Sequence, residues 1–307
     1  MKETKDMIKD TDLWAGLNKP GLAINEADIV VLGIPYDGAA SFRAGAKDGP
    51  ESIRSITYTI TPTTEDFESI EELKVLDLGD FTGKDQMEIF EIVESKIGEI
   101  VKEKKFFTML GGDHSTSIPV YKGIDKSLNE EFGIIHIDAH FDLCDTLDGN
   151  KYSHGCPARR ATELKNVKGI ENMFFIGIRS IEMDELDFCK NNTVNVINAR
   201  DFYKMGPEKV VEQVKSKMGH LKNIYITVDI DALDPAYAAG TGTPQFGGLS
   251  SRELLELLRG LFDLPVIGFD VVEVAPNLDP SLTSTFAARK IITECWGHYY
   301  RKMKTKK

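Results

Sequence analysis

Cysteine is scarce in this chain: four residues in 307, at Cys144, Cys156, Cys189 and Cys295, and no C-x-x-C pair among them. That excludes a disulfide-stapled secreted scaffold and a thiolate zinc knuckle, and the four read as reduced thiols of a cytoplasmic protein. Long apolar runs are missing too. Nothing approaches the roughly 18 residues of a membrane span, and the opening MKETKDMIKD has no apolar stretch for a secretory signal. Positive charge is in deficit, with 37 Lys and Arg against 49 Asp and Glu and a formal net charge of −12. No basic face for nucleic acid is expected, whereas an acidic surface suits a cationic ligand. Several catalytic signatures are absent as well. The sequence has no G-x-x-x-x-G-K-[ST], no G-x-G-x-x-G after its first apolar run, no G-x-S-x-G and no H-E-x-x-H. Phosphate-loop, dinucleotide, nucleophile-elbow and zincin chemistries are therefore set aside.

What is present is alternation. Short apolar, β-branched runs recur at Asp28–Ile34, Lys74–Leu78, Phe106–Leu110, Phe132–Ile137, Met173–Ile178, Val194–Ile197, Ile224–Val228 and Val266–Val271. Most are apolar nearly throughout, as strands covered on both faces are. Helical patterns lie between them, at Met87–Lys104, Pro207–Met218, Ser250–Phe262 and Ser281–Tyr300. Pro50 and Pro207 fit the first turn of a helix, and Ser250 with Glu253 fits a capping box. The basic tail RKMKTKK reads as a frayed, solvated helix end. With no repeat and no low-complexity linker, residues 1–307 read as one α/β domain: a parallel sheet with helices on both faces. Ligands in such sheets bind beyond the carboxyl ends of the strands.

Polar clusters fall at those ends. Phe106–Leu110 runs into Gly111-Gly112-Asp113-His114, Phe132–Ile137 into Asp138-Ala139-His140-Phe141-Asp142, Ile224–Val228 into Asp229-Ile230-Asp231, and Val266–Val271 into Glu273. In a strand, residues two apart share a face, so Asp138, His140 and Asp142 are expected to converge, as are Asp229 and Asp231. So many carboxylates together are costly unless cations balance them. Carboxylate with some imidazole and no thiolate favours ions harder than zinc, manganese first. Asp113 and Asp234 are expected to be structural, Asp234 shaping a turn before Pro235, and Gly240–Gly248 to form a tight loop walling the site.

These motifs resemble the ureohydrolase family of arginases, agmatinases and relatives. The resemblance runs from Gly33-Ile34-Pro35-Tyr36-Asp37-Gly38 to Glu273-Val274-Ala275-Pro276. It implies a three-layer α/β/α sandwich around an eight-stranded parallel sheet, assembled into trimers or hexamers, with two manganese ions per subunit. His114, Asp138, Asp142 and Asp231 would surround one ion; Asp138, His140, Asp229 and Asp231 the other, with Asp138 and Asp231 shared. A hydroxide between the metals would attack the guanidinium carbon, and Asp142 would hold it and pass on its proton. His154 would relay protons, Glu273 would pair with the guanidinium and Thr243 would line the pocket.

Within the family, Gly38–Ala46, Lys151-Tyr152-Ser153-His154 and Val272-Glu273-Val274 resemble the agmatinase branch, which cleaves agmatine to putrescine and urea. The arginase Ser-Gly-Asn stretch is missing from Thr146–Tyr152, and Asp145 and Asp148 are expected to favour a substrate ammonium. Cys156, Ala158 and Gln245-Phe246 depart from the agmatinase pattern at positions expected to border the substrate tail. A carboxylated substrate, as in guanidinobutyrases or arginases, would want a cation, for which Arg43, Arg159 and Arg160 are the candidates. The two other readings are a metal deacetylase, which would not need His114, and a metal-binding relative without activity, against which His154 and Glu273 both stand.

Overall fold

A computed structural model describes residues 9–305; residues 1–8, most of the MKETKDMIKD segment, and the last two residues of the basic tail lie outside them. The eight expected runs form eight strands, β1 (Ile29–Gly33), β2 (Val75–Asp80), β3 (Phe106–Leu110), β4 (Gly133–Ile137), β5 (Met173–Ile178), β6 (Asn195–Asn198), β7 (Ile224–Asp229) and β8 (Val266–Val272). They make one parallel sheet in the order β2-β1-β3-β8-β7-β4-β5-β6. Its connections are helical: α1 (Gly49–Arg54), α2 (Gln86–Lys102), α3 (Ser117–Ser127), α4 (Pro157–Thr162), α5 (Met183–Asn191), α6 (Ala199–Met205), α7 (Pro207–Met218), α8 (Ser251–Leu261) and α9 (Thr283–Thr305).

Strand alternation sorts the core into two layers. Val31, Ile135, Ile226 and Val271 face α7, α8 and α9 through Val214, Leu257 and Ile292. Val30, Met109, Ile134 and Phe175 face α2, α3 and α4 through Val93, Ile124 and Ala161. This is the three-layer α/β/α sandwich. Local signals act where expected. Pro207 opens α7 and Pro50 lies in the first turn of α1. The Ser250 hydroxyl accepts from the Glu253 N–H while Glu253 Oε2 accepts from the Ser250 N–H at 2.8 Å.

The tail corrects the expectation of a frayed end. α9 runs to Thr305, Arg301 pairs with Asp66 and Glu68, and Lys302 Nζ donates to the carbonyls of Phe262, Asp263 and Leu264 just after α8. Unpaired carbonyls at a helix end are ready acceptors for a lysine, which docks a segment that composition alone reads as solvated. No helix among the described residues is long and apolar enough to cross a membrane.

On α9, burial and the nearby Arg259 and Arg301 push His298 down to about 4. The unfolded ring takes up its proton near ~6.5, so between these values the unfolded chain binds more protons and stability falls as pH falls. His298 thus costs the fold nothing above ~6.5 and up to about 3 kcal/mol as pH falls towards 4. Melting curves from pH 7 to pH 4 are expected to show wild type losing stability relative to His298→Gln as pH falls. Curves that stay parallel would rule the effect out.

Candidate metal centre and active site

The four strands that end in polar clusters, β3, β8, β7 and β4, are neighbours at the middle of the sheet. Ile137 pairs with Val228 and Val228 with Val271, so Asp138 and Asp229 follow side by side on adjacent strands. His114 arrives from the turn after β3, where Gly112 lies so close to Tyr36 that a Cβ would meet its carbonyl oxygen at 1.8 Å.

Convergence of Asp138, His140 and Asp142 was expected from strand alternation, but β4 stops at Ile137 and all three lie in the turn beyond. The carboxylate of Asp138 accepts from the backbone N–H of His140 at 2.7 Å, and that of Asp229 from the N–H of Asp231 at 2.8 Å. Asp113 does the same with the N–H of Ser115 at 3.0 Å. Three strand ends thus use one device, an aspartate side chain closing a turn on the residue two ahead. Asp142 takes φ 55° and Glu273 φ 62°, left-handed backbone that non-glycine residues seldom adopt.

His114 Nδ1 lies 2.9 Å from Asp142 Oδ2, 3.1 Å from Asp138 Oδ2 and 3.3 Å from Asp229 Oδ2. His140 Nδ1 lies 3.2 Å from Asp231 Oδ2 and 3.5 Å from Asp138 Oδ1. Asp138 therefore turns one oxygen to each histidine. The expected grouping needs one correction: Asp229 stands against His114, and Asp231 groups with His140. The reason is local. Asp229 is the last residue of β7 beside Asp138, whereas Asp231 sits one turn further out, in a short 3-10 segment. Asp138 is the carboxylate that reaches both histidines, with Asp229 beside it on the next strand.

These groups fit a pair of divalent cations. His114 Nδ1, Asp138 Oδ2 and Asp231 Oδ2 are buried and make no hydrogen bond despite their close neighbours. Buried polar atoms in folded proteins are nearly always paired, so three such orphans beside His114, Asp138 and His140 call for cations. Without one, burial and the charges of Asp231 and Asp138 hold the Asp229 carboxyl well above the usual carboxylate range. His114, Asp138 and Asp142 with His136 form one group able to hold a metal, and Asp138, His140 and Asp231 a second. His136 is a residue the sequence reading missed. It is fully buried, with Nε2 3.0 Å from Asp138 Oδ2 and its ring stacked on His114 at 4.9 Å. The available signal was a histidine inside an apolar run, two residues before Asp138 and so on the same face.

A cavity of about 160 Å³ opens over these groups, walled by His140, Asp142, His154, Thr243, Gln245 and Glu182 among others. The Ser41 hydroxyl oxygen lies 2.7 Å from His154 Nε2, and His154 Nδ1 lies 3.0 Å from Glu273 Oε1. Burial opposes charge on this ring, but Glu273 raises it to about 9. Glu273 is buried and also accepts from the N–H of His114 at 2.9 Å. The Gly240–Gly248 loop does wall the cavity, pinned by Asp234, which accepts from Gly247 and Gly248, and by Arg43, which donates to the carbonyls of Thr241 and Gly242.

Asp145 is not brought to the site. Its side chain is 70% exposed and paired with Arg160 at 2.7 Å, and Asp148 is exposed as well. An exposed polar loop of this kind is placed by tertiary pairing, which spacing does not encode. The acidic residues at the cavity are instead Glu182 and Glu185, at the start of α5. Burial raises the Glu185 carboxyl to about 7. Cys156 and Ala158 are buried behind the wall, where Cys144 reaches the cavity in their place.

A sequence model of the arginase family matches residues 27–297. The chain is 35% identical over 289 residues to proclavaminate amidinohydrolase of Streptomyces clavuligerus, covering 91% of this chain and 90% of that protein. It is 36% identical over 271 residues to an agmatinase of Halalkalibacterium halodurans, covering 86% and 90%. Among solved structures, agmatine ureohydrolase of Thermoplasma volcanium superposes with a TM-score of 0.81 at 31% identity, covering 98% and 99% of the two chains.

Proposed function

The chain belongs to the arginase family, and from that premise we propose that it hydrolyses agmatine to putrescine and urea with two manganese ions bound. The observation that carries the reading is the shared aspartate, with one oxygen of Asp138 towards each of His114 and His140. When bound, the two cations supply the Lewis acidity that makes water a nucleophile near neutral pH. Manganese suits a set of carboxylates and imidazoles without thiolate. In this reading Asp142 accepts the proton of the attacking water. Glu273, held by His114 and His154, offsets the charge of the guanidinium, and Thr243 borders it. His154 delivers a proton to the departing amine as the carbon–nitrogen bond breaks, leaving urea.

The substrate tail is read from the walls. All three candidate cations are engaged elsewhere: Arg43 on backbone carbonyls, Arg159 over the Phe188 ring at 4.5 Å, and Arg160 on Asp145 and Glu163. Glu182 is exposed at the cavity mouth. A negative rim without an available cation supports an ammonium tail over a carboxylate. Four free thiols suit a cytoplasmic location, and the reading includes an assembly of copies, trimeric or hexameric. Urea release from agmatine is therefore expected to exceed that from arginine and guanidinobutyrate in kcat/KM. Exposed charges contribute about 1 kcal/mol at most, so Glu182→Gln is expected to lower the agmatine value by up to about fivefold. It should leave guanidinobutyrate unharmed. Faster turnover of arginine or guanidinobutyrate by the wild type would overturn the substrate assignment.

A further inference from the structure

Beneath the metal centre the sheet carries a polar row where strands of this kind are apolar. His136 on β4, Thr227 on β7 and Asp270 on β8 pair across neighbouring strands, one behind the next. All three are fully buried. Asp270 has no lysine or arginine partner among its contacts. Its Oδ1 accepts from the Thr227 hydroxyl at 2.6 Å and the Val228 N–H at 3.2 Å; its Oδ2 accepts from the Ser117 hydroxyl at 2.8 Å and the Tyr225 hydroxyl at 2.9 Å. Both oxygens are taken by donors from β7 and the start of α3. A buried carboxylate so anchored is expensive to keep, and a purely structural position in a parallel strand is normally filled by a branched aliphatic.

The next contact suggests its use. Thr227 Oγ1 lies 2.9 Å from His114 Nε2. A hydroxyl has one hydrogen and two acceptor lone pairs. Thr227 commits that hydrogen to Asp270, so towards His114 it can only accept. The hydrogen between them must then sit on Nε2. A neutral imidazole with its proton on Nε2 presents a bare lone pair at Nδ1, the atom that faces Asp142, Asp138 and Asp229 at 2.9–3.3 Å. Turned round, with the hydrogen on Nδ1, the ring could not ligate a cation there.

We propose that Thr227 and Asp270 are positioning residues for the metal centre: together they fix which nitrogen of His114 carries the proton and hold Nδ1 free for the cation beside it. The proposal rests on the two-metal reading above. Partners behind a metal-ligating histidine typically change metal affinity about 10–100-fold when removed. Thr227 reaches the His114 ring, so the ion beside His114 is the one that should weaken.

The test is manganese retention by the purified full chain. Wild type, Thr227→Val, Thr227→Ser and Asp270→Asn are loaded with manganese and dialysed against graded chelator. Bound metal is counted by atomic emission, and electron paramagnetic resonance separates coupled pairs from single ions. Wild type and Thr227→Ser, which keeps the hydroxyl, are expected to retain two ions over the same range. Thr227→Val, equal in shape and without the hydroxyl, should release one ion at about 10–100-fold lower chelator strength and show the single-ion spectrum. Asp270→Asn should shift the same way, because its amide no longer accepts at every contact. The thermal transition in chelator reports folding: Thr227→Val should still unfold in one cooperative step there. Equal retention of both ions by Thr227→Val overturns the proposal, as does equal loss in Thr227→Ser, which would mean packing rather than the hydroxyl. A wild type that retains a single ion or none overturns the two-metal reading and the proposal with it.

Discussion

Asp138→Ala is expected to strip both manganese ions and to lower urea release by more than about 10⁴-fold, because one carboxylate serves both histidines. Asp229→Ala should do the same, whereas Asp231→Ala, which removes a group near His140 alone, should mainly cost one ion. Metal counting after dialysis checks this. Asp138 and Asp229 are expected to part company in chelator. Burial disfavours the Asp138 carboxylate, but hydrogen bonds to His114, His136 and His140 hold its pKa well below the usual value. Asp229 is pushed the other way by burial and by the charges of Asp231 and Asp138. A carboxyl whose folded pKa is depressed contributes stability at neutral pH, and one whose pKa is raised detracts from it. In chelator at pH 7, Asp138→Ala should therefore melt below wild type and Asp229→Ala above it. With manganese present both should melt below, since wild type alone gains the binding free energy of two ions. If Asp229→Ala melts below wild type in chelator, the like-charge account of Asp229 is wrong.

His154→Asn is expected to leave two ions bound and to reduce kcat by about 10²–10⁴-fold, the range for a general acid or base. Glu273 keeps the ring protonated up to about 9 despite its burial, so the wild-type rate should fall as pH rises through that value. Sign follows role: an acid that has lost its proton cannot deliver it to the leaving amine. His154→Asn should lack this alkaline limb and run flat there. Turnover undiminished in His154→Asn, with metals intact, would remove the ring from the mechanism. Because Glu273 also holds the His114 backbone, Glu273→Gln should damage KM as well as kcat and would not isolate the proton step.

The sequence alone determined the elements and their chemistry. Eight apolar runs separated by helical patterns can only be covered on both faces, and that fixed the three layers. Each polar cluster directly follows a strand, so its end of the sheet was legible before any neighbour was known. His114, Asp138, His140, Asp142, Asp229 and Asp231 were named for this reason, since so many carboxylates and imidazoles at strand ends are tolerable only around cations. Tertiary structure decided what depends on which strands are neighbours and which side chains already have partners. Register across β4 and β7 put Asp229, rather than Asp231, beside Asp138. An exposed loop pairing spent Asp145 on Arg160, and the N-cap of α5 supplied Glu182 instead. The polar row of His136, Thr227 and Asp270 was present in three separate apolar runs, each member a minor irregularity by itself. Only the strand order β8-β7-β4 lays them in one line under His114, because adjacency in a sheet is set by the packing of distant segments and leaves no trace in local periodicity.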